Sequence, residues 1–470
     1  MKKALLLLLI PCLCAAAFGA SLPPDIKWET NMDDPPIGDP NALKGGVFYM
    51  DMEDYPLTFR LMGPNSNDSF AGWNRAFTMD LTLVNLHPTT DRFIPYLATH
   101  WSIQQDNQTI YYKLDPDARW SDGKPVTADD YVFCWEMMQS PHIVDPFYNN
   151  YVKEYLKSVE MVDEHTLKIV GQNPSWRPLY DYNLFPMPRH AIKLGPDWVK
   201  EANNTFQVAA GPYVVTEAVA GQRIVFSRIK DWWGIDKHYF KGMFNVEKIV
   251  LKVLPNARSL DFFKKGDISL DYVNMAKIWA EEMNFDAIKK GWAHRKRVFL
   301  RVPSGISGLH MNLEAPIFKN KDFRKAMQYL FPFELINSKL MYSSYYRTVS
   351  IAEGTEYANP NLKPYGFDPQ KAREHLAKAG FAKRGADGIL LNEKGERASF
   401  TLTYGDKQFE RHATVIQEVY KKAGVEMLLK LLDGATAFNR GLERKYEMTI
   451  TSRTAGFYPE PNQYFHSKFK

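Results

Sequence analysis

The chain has 470 residues, of which 45% are apolar and 14% aromatic, and its formal net charge is +5. A chain of this length can bury large cores, and its size predicts two or three domains. The small net charge, spread without long runs of like sign, does not call for a nucleic acid or an anionic membrane as partner.

The first 20 residues have the pattern of a secretory signal peptide, with two lysines, an apolar run and small residues up to Ala20. The apolar run is too short to span a membrane, and no later stretch offers about 18 uninterrupted apolar residues. Lipidation at Cys12 or Cys14 is the less favoured alternative, because no small residue precedes either cysteine. Beyond this leader only Cys134 remains, which excludes an intrachain disulfide and a cysteine-based metal site.

The next elements come in the order arm, strand and loop. Residues 21–42 are rich in Pro and Asp and predict an extended arm, which leads into a strand beginning at Val47. Residues 61–67 predict a loop, because Gly63-Pro64-Asn65 fits neither the helix nor the strand period.

The most informative stretch is 97–138. Thr109–Leu114 predicts a strand, and a turn follows at Ser121-Asp122-Gly123. Thr127 and Asp130 have the spacing of a capping box, so a helix should begin there. Its apolar positions recur at helical spacing, which predicts an inward face that buries Cys134.

Later residues predict hairpins, helices and a mixed sheet. Two hairpins are predicted, at 159–170 and 213–226. Further strands are predicted at 246–254, 298–302, 306–313, 400–404, 425–432 and 447–452. Helices are predicted at 257–265, 370–379 and 412–423. Since strands and helices alternate after residue 399, this part of the chain should contain a partly parallel sheet.

Catalytic motifs are weak. Ser121 and Lys124 satisfy the Ser-x-x-Lys spacing of penicillin-recognising enzymes, which requires the serine to open a helix. Gly123 and Pro125 predict a turn instead, although a secreted serine hydrolase stays an alternative. The eleven histidines are scattered, so no metal site is predicted.

Several blocks resemble the bacterial family 5 extracellular solute-binding proteins, the dipeptide and oligopeptide receptors of ABC importers. The matching residues are Leu97, Ala98, Trp101, Trp120, Asp122, Gly123, Thr127, Ala128, Asp129 and Asp130, then Gly211-Pro212-Tyr213, Asp231-Trp232-Trp233-Gly234 and Asp368-Pro369 with Gly380. The resemblance covers residues 45–470. Family members continue beyond the position of Lys470, so the chain is expected to be a fragment.

The resemblance implies an α/β fold, a type II periplasmic binding protein with two lobes and a hinge-closing cleft. Lobe I would cover residues 21–302, with an inserted subdomain at about 65–205, and lobe II residues 303–470, incomplete at its C-terminal end. The implied function is non-enzymatic: a monomeric periplasmic receptor that delivers peptides or peptide-like compounds to an inner-membrane ABC permease, without cofactor, metal or nucleic acid. A receptor-like sensory module without transport is the other alternative.

The resemblance also implies ligand contacts. Lobe I would contribute Asn65 and Phe147. The lobe II segment 452–461 would contribute a second set, namely Arg453, Ala455, Phe457 and Glu460.

Phe457 stands where many relatives carry an aspartate that pairs with the ligand ammonium, and a phenyl ring cannot replace that ion pair. Two interpretations stay open. Either the ligand has a blocked N-terminal end, as in a formylated peptide, a muropeptide or a peptide conjugate, or Glu460 binds the ammonium.

Overall fold

The computed structural model describes residues 21–79, 81–255, 258–299, 302–303, 305–453 and 456–458. Between Tyr272 and Val273 the chain divides into two compact units, here called unit 1 and unit 2. The lobe boundaries stay a prediction.

Unit 1 contains ten strands and six α-helices within the described ranges. The strands are β1 (Val47–Met52), β2 (Val84–Leu86), β3 (Phe93–Pro95), β4 (Ala98–Ile103), β5 (Thr109–Leu114), β6 (Leu156–Asp163), β7 (Thr166–Gly171), β8 (Tyr213–Val219), β9 (Arg223–Arg228) and β10 (Lys248–Val253). The helices are α1 (Ser69–Asn74), α2 (Ala128–Gln139), α3 (Pro146–Tyr155), α4 (Pro178–Asp181), α5 (Trp198–Glu201) and α6 (Ser259–Lys265).

Two four-stranded sheets organise unit 1. One has the order β1-β10-β9-β8, with β1 parallel to β10 and the hairpin β8-β9 antiparallel. The other has the order β4-β5-β7-β6 and is antiparallel throughout. Each sheet has its own apolar core, the first around Phe226 and Leu251 and the second around Trp120 and Tyr131. Both predicted hairpins are therefore confirmed.

Asp130 fixes the start of α2. Its Oδ2 accepts hydrogen bonds from the Thr127 amide at 3.0 Å and from Trp120 Nε1 at 3.1 Å, so the predicted capping box is confirmed. Cys134 on this helix is fully buried, as predicted, and burial raises the pKa of its thiol.

The Ser121–Lys124 stretch is a turn. The Ser121 amide donates to the Ala209 carbonyl at 2.7 Å, Ser121 Oγ accepts from the Ala209 amide, and Gly123 has a φ of 86°. The helix that the Ser-x-x-Lys arrangement requires is therefore not formed here.

The arm predicted over 21–42 has no helix and pairs with the rest of unit 1 through short contacts. Glu29 and Trp101 exchange backbone hydrogen bonds at 2.8 and 3.0 Å. Asp34 is buried and accepts from Arg92 and from Thr90 Oγ1, so a charged network fastens the arm.

Unit 2 contains six strands and seven α-helices within the described ranges. The strands are β11 (Ile306–Met311), β12 (Lys383–Arg384), β13 (Leu390–Leu391), β14 (Ser399–Tyr404), β15 (Glu426–Leu431) and β16 (Met448–Arg453). The helices are α7 (Asp286–Lys289), α8 (Pro316–Lys319), α9 (Lys321–Leu330), α10 (Phe333–Leu340), α11 (Pro369–Lys378), α12 (Glu410–Lys422) and α13 (Gly434–Leu442).

The unit 2 sheet has the order β11-β16-β14-β15. Because β14 is parallel to both β15 and β16, while β11 is antiparallel to β16, the predicted partly parallel sheet is confirmed. Asp368 caps α11 as predicted, accepting from the amides of Gln370 and Lys371 at 3.1 and 3.0 Å.

The strand predicted over 298–302 is wrong for the residues that the structure describes. Val298 and Phe299 belong to an irregular segment and are 74% and 83% exposed, and Val302 lies in a bend. A β-rich composition does not make a strand when no neighbouring strand accepts its hydrogen bonds.

Candidate functional site

A buried arginine, Arg60, holds the ligand loop of unit 1, which the sequence predicts over residues 61–67. Residues 60–66, which carry these contacts, are called loop 60–66 here. Arg60 Nη1 donates to the Met62 carbonyl at 2.7 Å and Nη2 to the Pro64 carbonyl at 2.8 Å. Burial lowers the pKa of the Arg60 guanidinium, while the charge of Asp145 acts in the opposite direction. The loop is therefore shaped by bonds to its main chain.

Asp145 connects this loop to the start of α3. Its Oδ2 accepts from the Gly63 amide at 2.7 Å, and its Oδ1 accepts from the amides of Phe147 and Tyr148 at 3.1 and 3.3 Å. One carboxylate thus brings together the loop that carries Asn65 and the helix start that carries Phe147. Both side chains are exposed, Phe147 by 69%.

Gly63 is required for the contact between the loop and Asp145. Its φ is +93°, and a Cβ placed there would lie 2.4 Å from Arg60 Nη1 and 2.6 Å from the Ile143 carbonyl oxygen. The second atom belongs to the main chain and cannot swing aside. A side chain at position 63 would therefore separate the loop from its support.

In unit 2 the sheet has a topological switch point. From β14 the chain passes through α12 to β15 on one side, and then through α13 to β16 on the other side. Ligands of open α/β sheets bind outside the carboxyl ends of strands that diverge in this way. A ligand site is therefore expected at the carboxyl ends of β14 and β16.

A cavity of about 230 Å³ lies at the carboxyl end of β14. It is lined by Asn274, Met275, Ala276, Lys277, Leu340, Met341, Tyr345, Asp406, Gln408, Phe409, Arg411 and His412. Its volume is below the range of about 300–1,000 Å³ typical of whole-ligand pockets, so it can hold one residue or one end of a longer ligand. We call it the β14 cavity.

The charge of the β14 cavity is mainly positive. Neither Lys277 nor Arg411 forms an ion pair with another described residue, and Asp406 accepts the Gln408 amide at 2.8 Å. Burial lowers the pKa of the His412 imidazole, and the charge of Arg411 lowers it further. Within the described ranges the buried Nδ1 of His412 has no hydrogen-bond partner.

The wall opposite α12 is fixed by Asn337. Its Nδ2 donates to the Tyr345 carbonyl at 2.7 Å, and its Oδ1 accepts from the Tyr345 amide at 3.2 Å. Phe409 stacks on His412 with ring centroids 5.3 Å apart. The cavity therefore combines an apolar lining with cations that are free to pair with an anionic group.

The predicted lobe II residues begin at the same edge of the sheet. Arg453 is the last residue of β16, which runs parallel to β14 with Thr449 opposite Thr403. Phe457 is half-buried and its ring lies 4.9 Å from that of Tyr458. Ala455 and Glu460 lie outside the described residues.

Sequence reasoning missed Lys277, Arg411 and His412. The pattern that could have found the last two is the Tyr404-Gly405-Asp406 turn between a central strand and a helix, because such turns line switch-point crevices. Lys277 comes from a distant part of the sequence, and no local pattern marks it.

The described residues contain neither a metal-binding cluster nor a membrane-spanning helix. They hold no cluster of three or more His, Cys, Asp or Glu side chains suited to a metal ion. No helix within the described ranges has the length and apolarity needed to cross a membrane.

The sequence profile of the bacterial extracellular solute-binding proteins, family 5, middle region, matches residues 92–470. The chain belongs to this family. Its predicted α/β, two-lobed binding-protein fold is thereby confirmed.

Relatives of this family 5 chain include a putative binding protein of Brucella melitensis, 26% identical over 408 residues, covering 78% of this chain and 65% of the relative. The peptidoglycan-binding protein YepA of Agrobacterium fabrum is 26% identical over 400 residues, covering 75% of this chain and 64% of the relative. The chain thus spans slightly less than two thirds of the length of these relatives.

A solved structure has the same fold. The oligopeptide-binding protein AppA of Bacillus subtilis, in complex with a nonapeptide, superposes with a TM-score of 0.70 at 19% identity, covering 91% of this chain and 83% of that chain.

Proposed function

We propose that this chain is the periplasmic substrate-binding component of an ABC importer. In this proposal it acts as a monomer without catalysis, captures a peptide or peptide-like compound, and delivers it to an inner-membrane permease. Family membership supports solute binding, and the peptidoglycan-binding relative and the nonapeptide-bound structural neighbour favour peptide chemistry.

The observation that carries the peptide proposal is the β14 cavity. Its two cations, Lys277 and Arg411, have no acidic partner among the described residues, and its lining includes Met275 and Phe409. A C-terminal carboxylate with an apolar last side chain fits this combination, because guanidinium and carboxylate form short, charge-assisted hydrogen bonds. His412 would add a donor once it is protonated.

The other end of the ligand is expected at the segment that follows β16. Phe457 offers no charge for an ammonium group, which favours ligands with a blocked or acylated N-terminal end, such as a formylated peptide or a muropeptide. The competing assignment gives the ammonium to Glu460. In unit 1, Asn65 and Phe147 are the residues expected to contact the ligand.

Calorimetry with matched peptides tests the carboxylate anchor. The chain should bind a peptide acid more tightly than its C-terminal amide, by roughly 10- to 150-fold if one charge-assisted hydrogen bond is at stake. Arg411→Gln should remove most of this preference. Arg373→Gln, at an exposed position of α11, changes the charge equally and should leave the preference intact. Equal affinity for acid and amide would refute the anchor.

A second pair of peptides separates the two N-terminal assignments. With a blocked-end ligand, the N-formyl peptide should bind at least as tightly as the free peptide. If the free peptide binds much more tightly, and Glu460→Gln removes that advantage, Glu460 is the ammonium partner and the blocked-end proposal fails.

Two further measurements address the alternatives. Turnover of a fluorogenic ester or a β-lactam that disappears in Ser121→Ala would establish the hydrolase and overturn the proposed function. Delivery to a permease is tested by ligand-dependent stimulation of ATP hydrolysis in a reconstituted importer, and a purely sensory module would give no stimulation.

A further inference from the structure

A short stretch of unit 2, residues 289–299, concentrates positive charge at the surface. It contains Lys289, Lys290, Arg295, Lys296 and Arg297 and no acidic residue. Ten of its eleven residues are exposed. The stretch therefore carries as much positive charge as the net charge of the whole chain, +5. We call it the basic-aromatic segment.

The same segment exposes large apolar side chains. Trp292 is 76% exposed, Val298 74% and Phe299 83%. Apolar side chains scattered singly over a surface are ordinary, but three within eight residues, interleaved with five cations, form a patch of mixed character. Such patches mark interaction surfaces, because burying the exposed apolar area against a partner lowers the free energy.

Aromatic contacts order part of the segment. The guanidinium groups of Arg295 and Arg297 lie 5.2 and 5.5 Å from the ring centre of Trp279, and Lys290 Nζ lies 4.8 Å from that of Trp292. A cation–π contact holds a cation in place but does not neutralise its charge.

Three acidic residues, Glu281, Glu282 and Asp286, precede the segment. Asp286 lies 3.8 Å from Lys290, while Glu281 accepts a hydrogen bond from the Tyr342 hydroxyl. Five cations against three carboxylates leave a net charge of +2 over residues 281–299. Lys289 and Lys296 form no ion pair with another described residue.

We propose that the basic-aromatic segment docks the protein on an anionic lipid surface. Lysine and arginine side chains attract phosphodiester headgroups, and tryptophan and phenylalanine partition into the boundary between headgroups and acyl chains. A dissolved polyanion would neutralise the cations but would leave Val298 and Phe299 in water. The extracellular character of the family also makes a lipid surface a more accessible partner than a nucleic acid.

This proposal departs from the expectation drawn from net charge. The whole-chain average hides the cluster because acidic residues elsewhere compensate for it, and Gly291, Trp292 and His294 interrupt the run of like charge. Surface attraction depends on the local charge within a Debye length of about 8–10 Å, and not on the average over the chain.

Vesicle co-sedimentation tests the proposal. The chain from Ser21 to Lys470 should bind phosphatidylglycerol-containing vesicles at least tenfold more tightly than phosphatidylcholine vesicles, and binding should weaken as salt is raised. Because each basic residue near an anionic surface contributes about 1 kcal/mol, Lys289→Gln with Lys296→Gln should reduce this binding by roughly 10- to 30-fold. The matched control, Lys394→Gln with Lys421→Gln, makes the same charge change at other exposed sites of unit 2 and should have little effect.

A separate variant tests the contribution of the apolar side chains to vesicle binding. Phe299→Ser should also weaken vesicle binding, whereas Leu362→Ser, at a position that is 49% exposed, should not. Circular dichroism verifies that each variant is folded. Equal losses in the test and control lysine variants, equal binding to both kinds of vesicle, or binding to heparin or single-stranded DNA that is tighter than to vesicles would each overturn the lipid proposal.

Discussion

Replacing Asp145 with alanine should destabilise unit 1 and weaken ligand binding together. The variant loses the cap of α3, which contributes about 1 kcal/mol, and the hydrogen bond from the Gly63 amide to a charged acceptor, which contributes about 1.5–3 kcal/mol. The free energy of unfolding should therefore fall by about 2.5–4 kcal/mol. Urea titration followed by tryptophan fluorescence measures this change.

The chain offers a matched control in Asp368→Ala. Asp368 also precedes a proline at the first position of a helix and caps α11 with two amide hydrogen bonds, but it holds no loop. We expect Asp368→Ala to cost less stability and to leave ligand affinity unchanged. If even one residue of loop 60–66 is freed by the substitution, fixing it again when the ligand binds costs about 1–2 kcal/mol. Asp145→Ala should therefore bind ligand roughly 5- to 30-fold more weakly. The reasoning is refuted if both variants lose the same stability and bind as the unmodified chain does.

Three other outcomes are expected. Cys134 is buried and its thiol pKa is raised, so a thiol reagent should label the native chain at least about 100-fold more slowly than the urea-unfolded chain. Burial raises the pKa of Asp34, but hydrogen bonds from Arg92, Asn31 and Thr90 lower it to about 2. Because the folded pKa lies below the unfolded value of about 3.9, the ionised Asp34 stabilises the folded state above about pH 4, and this stabilisation is lost as pH falls towards 2. The free energy of unfolding should therefore depend less on pH in that window in Asp34→Asn. The pKa of His412 lies below its ordinary 6.5, with Lys277, Asp406 and Arg411 as its charged neighbours. Affinity for a peptide acid should therefore rise as pH falls through this lowered pKa, and calorimetry should find no such rise in His412→Asn.

Local chemistry made most of the fold predictable. The capping box at Thr127 and Asp130 and the cap at Asp368 depend on residues three or fewer positions apart, so the sequence alone located the starts of α2 and α11. The strand predicted around Val298 is wrong for the opposite reason. Its apolar residues favour a strand, but a strand also needs a partner, and pairing is not a local property.

The site was less predictable than the fold because it gathers residues from distant stretches. Asp145 supports a loop more than eighty residues earlier, since it accepts the Gly63 amide. Lys277 and Arg411 line one cavity although no spacing in the sequence relates them. Contacts of this kind follow from the order of strands in the sheet, which the alternation of strands and helices restricts without fixing it.

Arg60 and Arg75 bind loop 60–66 through carbonyl oxygens alone: those of Met62 and Pro64 for Arg60, and those of Leu61 and Ser66 for Arg75. These contacts do not involve the side chain at position 65, although position 63 must remain glycine. Position 65 can therefore change in evolution or by engineering without collapse of its support, with Asn, Asp and Gly the best replacements for one another because φ is 63° there. Variation in selectivity among relatives, or a reporter dye for ligand capture, could be introduced at this position with little cost to folding.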